Sequence, residues 1–166
     1  MWPVEIRTTR YDAPDAVKLN DLVQQEYVRR YGDGDITPMD AAHFEPPQGL
    51  YLLVYDAQGT PVASGGWRAK DASPEGFHDG DAEIKRMFVV PEARGRGLAR
   101  ALLARLETTA AAAGRTRMVL ETGLKQPEAI ALYESCGYLP VPKFGVYRND
   151  ELSVCMGKPL TADVQV

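Results

Sequence analysis

Cysteine is nearly absent: Cys136 and Cys155 are the only two in 166 residues, with no Cys-x-x-Cys spacing. That excludes a disulfide framework and a thiolate metal cluster. Histidine is equally scarce. His43 and His78 stand apart, so no zinc-ligand pattern arises and no metal is expected. The longest apolar run, Leu50 to Tyr55, falls far short of the ~20 residues of a membrane span. The start, Met1-Trp2-Pro3-Val4-Glu5, has neither the basic nor the apolar stretch of a secretory signal. A cytoplasmic protein with no membrane partner is the expectation. Positive charge is not in excess either: the net charge of −4 argues against a nucleic-acid partner, which requires many phosphates to be neutralised.

What remains is an ordinary globular composition, 45% hydrophobic and 25% charged, without repeats or low-complexity linkers. The length suits one domain over residues 1–166. Charge is unevenly spread. Residues 71–83 hold five acidic residues and no basic one, whereas 84–117 hold eight basic against two acidic. A local anionic ligand would account for that switch.

Hydrophobic periodicity predicts a strand over Val4–Thr8, a helix over Asp15–Tyr31 ending at Gly32, and a short helix over Pro38–Phe44. Strands over Leu50–Asp56 and Pro61–Arg68 flank a tight connection at Gly59. Residues 69–80 read as an exposed, mobile loop, with Asp79 and Asp81 as solvated acids at its end. A strand over Asp81–Val90, a helix over Gly97–Ala113, a strand over Met118–Glu121, a helix over Pro127–Cys136 and a last strand over Leu152–Met156 follow. The fold class is α/β, with the strands 81–90 and 118–121 parallel and buried around the intervening helix.

Chemistry concentrates where strand 81–90 turns through Arg94-Gly95-Arg96-Gly97-Leu98-Ala99 into the long helix. Amides of a helix's first turn have no partner inside it, and the dipole leaves about +0.5 charge there, so a phosphate docks on main chain. A P-loop would need Lys-Ser/Thr after Gly97, which is missing. A dinucleotide fingerprint would need a third glycine where Arg100 stands.

The hexapeptide Arg94–Ala99 and the segment Ala129-Ile130-Ala131-Leu132-Tyr133-Glu134-Ser135-Cys136-Gly137-Tyr138 together resemble the signatures of the GNAT N-acetyltransferases. The similarity is close over residues 82–139, although Gln126 stands where many members carry Asn. The resemblance implies the GNAT acyl-CoA N-acyltransferase fold: a mixed, mostly antiparallel sheet flanked by helices, with a splayed central parallel strand pair. It implies acetyl-CoA as cosubstrate and a primary amine of a small molecule or peptide as acceptor, attacked directly in a ternary complex. Residues 94–99 would take the pyrophosphate, and the main chain of Phe88 and Val89 the pantetheine arm and developing oxyanion.

An amine of pKa near ~10.4 must lose a proton before attack. Glu83 lies eleven residues before Arg94, where histone-modifying members carry their glutamate base, and Glu121 is the fallback. Tyr133 occupies the place of the family's thiolate-protonating tyrosine. Tyr31, with Tyr27 and Phe144, would line the acceptor pocket, and Cys136 reads as a buried small hydrophobe. Homodimerisation, common in the family, stays open. A non-catalytic acetyl-CoA-binding regulatory module is the alternative function.

Overall fold

A computed structural model describes residues 4–161. Seven strands form one sheet in the order β1-β2-β3-β4-β5-β7-β6. β1 (Val4–Thr9), β2 (Gly49–Asp56), β3 (Pro61–Lys70) and β4 (Asp81–Val89) pair antiparallel in sequence order. β5 (Arg117–Gly123) runs parallel to β4, and β7 (Ser153–Pro159) pairs antiparallel to β5. The two-residue β6 (Leu139–Pro140) lies on the far edge of β7.

Three helices cover the two faces. α1 (Pro14–Tyr31) opens with Pro at its first turn and ends at Gly32, whose φ of 87° lets its N–H return to the Val28 carbonyl. α2 (Leu98–Ala112) presents Leu98, Leu102, Leu103, Leu106 and Ala110, and α3 is Pro127–Ser135. Side-chain alternation along β2 serves both faces. Leu50, Leu52 and Val54 join the α2 core, whereas Tyr51, Leu53 and Tyr55 join Ala16, Leu19 and Val23 of α1. Seven consecutive buried residues in β2 therefore reflect a sheet sandwiched between helices.

Three local expectations change. The short helix over 38–44 is a single 3₁₀ turn, Ala41–Phe44, because Asp40 caps it by accepting the Ala42 N–H. The loop expected over 69–80 begins after Lys70 and is mostly exposed, Asp79 included, yet it is fastened to the core: Phe77 is buried against Phe144, with ring centroids 4.8 Å apart, and Asp71 and Asp79 accept the Gly80 and Ala72 amides. Asp81 is fully buried instead of solvated. It accepts two hydrogen bonds from Arg117, at 2.7 and 2.8 Å, and one from the His78 amide, fixing the start of the parallel pair.

Candidate active site

β4 and β5 pair only through Asp81–Arg117, Ala82–Met118 and Glu83–Val119, then part. A parallel pair that separates leaves main-chain N–H and C=O groups free on its inner edges. Between the diverging ends lies a cavity of about 320 Å³. α1 contributes Tyr27 and Tyr31 to its wall, β4 contributes Lys85 and Arg86, β5 contributes Glu121, and α3 contributes Tyr133. Main-chain divergence thus gathers side chains from four elements.

Glu121 is the acid that β5 brings to this cavity. Burial pushes its carboxyl up to about 7, against the opposing hydrogen bond from Ser153 Oγ, at 3.0 Å, and the charge of Lys85. Tyr133 is 7% exposed and packs edge-on against Tyr138. Its burial raises the phenol above the ordinary value, which keeps the proton on it at neutral pH. Tyr31 lines the same cavity and donates its hydroxyl to Gln126 Oε1 at 3.2 Å.

Two sequence expectations fall outside the cavity. Glu83, expected as the base, belongs to the still-paired part of β4, directly opposite Arg68 of β3. Arg68 Nε donates to Glu83 Oε1 at 2.9 Å, and both side chains are almost fully buried. The carboxylate is occupied by that ion pair and does not border the cleft. Phe144, expected in the acceptor wall, is core: it packs with Phe77, Val119 and Cys155. Cys136 is half-buried, and its sulfur accepts from Arg100 at 3.4 Å.

At the other end of the cleft, Gly95 and Gly97 have φ of 79° and 78°. Only glycine adopts that backbone without strain. Ala101 N–H closes the first helical bond on the Gly97 carbonyl, and no side chain caps the helix. The amides of Leu98, Ala99 and Arg100 therefore have no helical acceptor. They border a second cavity of about 200 Å³. A β-carbon at Gly95 or Gly97 would meet nothing within 4 Å, so the main chain there is open to an approaching phosphate. Arg94 is less available than its place in the motif suggests: it pairs with Glu26 of α1 at 3.1 Å and donates to the Val89 carbonyl at 2.9 Å. Val89 and Phe88 lie opposite Ala63 and Ser64 of β3, and the Val90 N–H donates to the Val62 carbonyl at 2.9 Å, so by the alternation of an antiparallel ladder Val89 turns its own N–H to the inner edge of β4.

Residues 33–36, part of an acidic loop 33–40 that in sequence suggested only attraction of a cationic amine, line the cavity. Asp35 takes Lys85 Nζ at 2.9 Å, stands 3.6 Å from Arg86 Nη2, and accepts from Thr37 and from Tyr147 at 3.1 Å. Burial alone would raise its pKa, but the Lys85 charge and the Thr37 hydrogen bonds prevail and hold it at about 2. Only the adjacency of two cations, Lys85-Arg86, hinted at this cluster. Its anionic partner lies fifty residues upstream, and no local pattern connects the two.

The fold agrees with comparisons to known proteins. The acetyltransferase (GNAT) family model matches residues 16–138. An "IAA acetyltransferase" of Azospirillum brasilense is 42% identical over 149 residues, covering 86% of this chain and 93% of that protein. A solved Klebsiella pneumoniae protein assigned as an acyl-CoA N-acyltransferase superposes with a TM-score of 0.76 at 31% identity, over 95% of this chain and 98% of that one. The spermidine N-acetyltransferase of Vibrio cholerae, solved with CoA and spermine, shares the fold alone, at 18% identity and a TM-score of 0.64 over 95% of each chain. With the splayed strand pair, the glycine turn and a family match across most of its length, the chain belongs to the GNAT family of acetyltransferases.

Proposed function

We propose that the protein transfers the acetyl group of acetyl-CoA to a primary amine of a small molecule or peptide, by direct attack with both substrates bound. Bound acetyl-CoA would supply the activated thioester carbon. The Gly95–Ala99 main chain, at the positive end of α2, would hold the diphosphate, with Arg96 and Arg100 beside it. The open inner edge of β4 would receive the pantetheine arm as an added strand would be received.

Glu121 takes the proton of the incoming ammonium. A carboxyl at about 7 is a far better match for this task than one at the ordinary value. Tyr133, whose phenol borders the same cavity, gives its proton to the departing thiolate. The observation that carries this reading is that Glu121 and Tyr133 border one cavity at the strand splay whereas Glu83 does not. Because a carboxyl raised toward neutrality and a phenol border one cleft, catalysis is favoured over a non-catalytic binding module.

The test is thiol release from acetyl-CoA across a panel of primary amines, with wild type and Glu121→Gln. Acceptor-dependent release that collapses in the variant supports the reading. Tight coenzyme binding with no amine releasing thiol overturns it.

A further inference from the structure

Between the pairs Gly66–Lys85 and Ser64–Phe88, β4 has one residue more than β3. Arg86 absorbs the excess with φ of 61°, the one non-glycine residue with positive φ among the described residues. A bulge of this kind suspends the alternation of side chains, so neighbours in sequence reach the same side. Lys85 and Arg86 do so: both border the catalytic cavity, and both lean on Asp35. Keeping arginine in a left-handed conformation is unfavourable, and glycine would relieve it.

The balance of partners around Arg86 is incomplete. The residue is 6% exposed, yet its Nε is the buried side-chain nitrogen without a hydrogen-bond partner among the described residues. Its contact with Asp35, at 3.6 Å, is longer than that of Lys85, at 2.9 Å. Lys85 and Arg86 share the Asp35 carboxylate, the Lys85 charge also acts on Glu121, and Asp33 and Asp150 stand exposed at the rim, where water screens them. A buried guanidinium N–H lacking an acceptor is costly unless something supplies one.

We infer, building on the proposed amine acetylation, that the acceptor carries a carboxylate as a free amino acid does, and that Arg86 and Lys85 hold it while the amine lies toward Glu121. The planar guanidinium edge matches both oxygens of a carboxylate, which fixes the orientation of the molecule as well as its presence. A polyamine, by contrast, would bring positive charge against Lys85 and Arg86. The volume of about 320 Å³ suits a small acceptor beside the end of the pantetheine arm.

The experiment pairs glycine, L-alanine, L-leucine, L-phenylalanine, L-glutamate and L-lysine each with its carboxamide, and adds putrescine and spermidine. Thiol release is measured with acetyl-CoA, and binding by calorimetry on protein saturated with CoA. At least one free acid should exceed its carboxamide in kcat/KM and in affinity by about tenfold to hundredfold, the range expected for a charged hydrogen bond. Arg86→Gln should bring that ratio toward one. If Arg86→Gln does not fold, Arg86→Lys, which loses Nε, should lower the ratio severalfold. Asp35→Asn should raise it, because the resident anion no longer competes. Equal use of acids and carboxamides, a preference that survives the loss of Arg86, or thiol release confined to polyamines overturns the inference and leaves the transferase reading standing. No thiol release from any amine overturns that reading and this one with it.

Discussion

Arg68 and Glu83 face each other across β3 and β4, and the 2.9 Å bond from Arg68 Nε to Glu83 Oε1 holds the two strands together just where β5 begins to leave. Arg68 also donates to the Pro38 carbonyl, tying the segment after α1 to the sheet. The pair is a structural fastening beside the site.

Glu83→Gln should therefore act on stability. Leaving Arg68 buried without its counter-charge costs ~3–5 kcal/mol. Denaturant unfolding should register that loss. The folded fraction should retain kcat within about tenfold, less than the ~10²–10⁴-fold loss of a proton-transfer group. A larger fall in kcat at unchanged stability would return Glu83 to the mechanism.

Glu121→Gln should do the reverse, lowering turnover ~10²–10⁴-fold with coenzyme affinity kept. In wild type the base form appears as pH rises, so kcat/KM should climb through about 7. Stability has the opposite sign. Because the folded-state value lies above the ordinary 4.5, the folded protein binds the extra proton, and that contribution, complete below 4.5, is lost as pH rises through about 7. Unfolding free energy followed from pH 4.5 to 8 should show this slope in wild type, flattened in the variant.

Tyr133→Phe removes only a hydroxyl. Turnover should fall ~10²-fold or more, with CoA affinity measured by calorimetry nearly unchanged. Undiminished turnover would exclude the phenol as proton donor.

Gly97→Ala tests the main-chain cradle. Its β-carbon would meet nothing, so no clash contributes, but at φ of 78° the substitution should cost ~1–2 kcal/mol. Relaxation of that strain would turn the first amides of α2 away from the ligand. Calorimetry should show weakened binding of CoA, and the melting temperature should fall with it.

Much of the molecule follows from local pattern. Pro14 and Gly32 bracket α1, the leucine spacing after Gly97 gives α2, and Gly95 and Gly97 mark the turn that opens it, because each depends on backbone rules acting within a few residues. Tyr133 was singled out by its motif, and the fold places it on the wall of the cavity. Glu83 was singled out by its distance from Arg94, whereas its partner across the sheet, Arg68, was not legible in any local stretch.

Sequence alone determined the order of strands and helices, the glycine turn at the head of α2 and the class of chemistry, since periodicity, φ requirements and helix-end amides are properties of short segments. Tertiary structure alone decided which acid meets the cleft. Strand register set Glu83 against Arg68, divergence of β4 from β5 placed Glu121 on a cavity wall where burial raises its pKa, and one extra residue in β4 turned Arg86 to the side of Lys85. Pairing between strands is a relation between distant residues, and it has no counterpart in any local stretch of the chain.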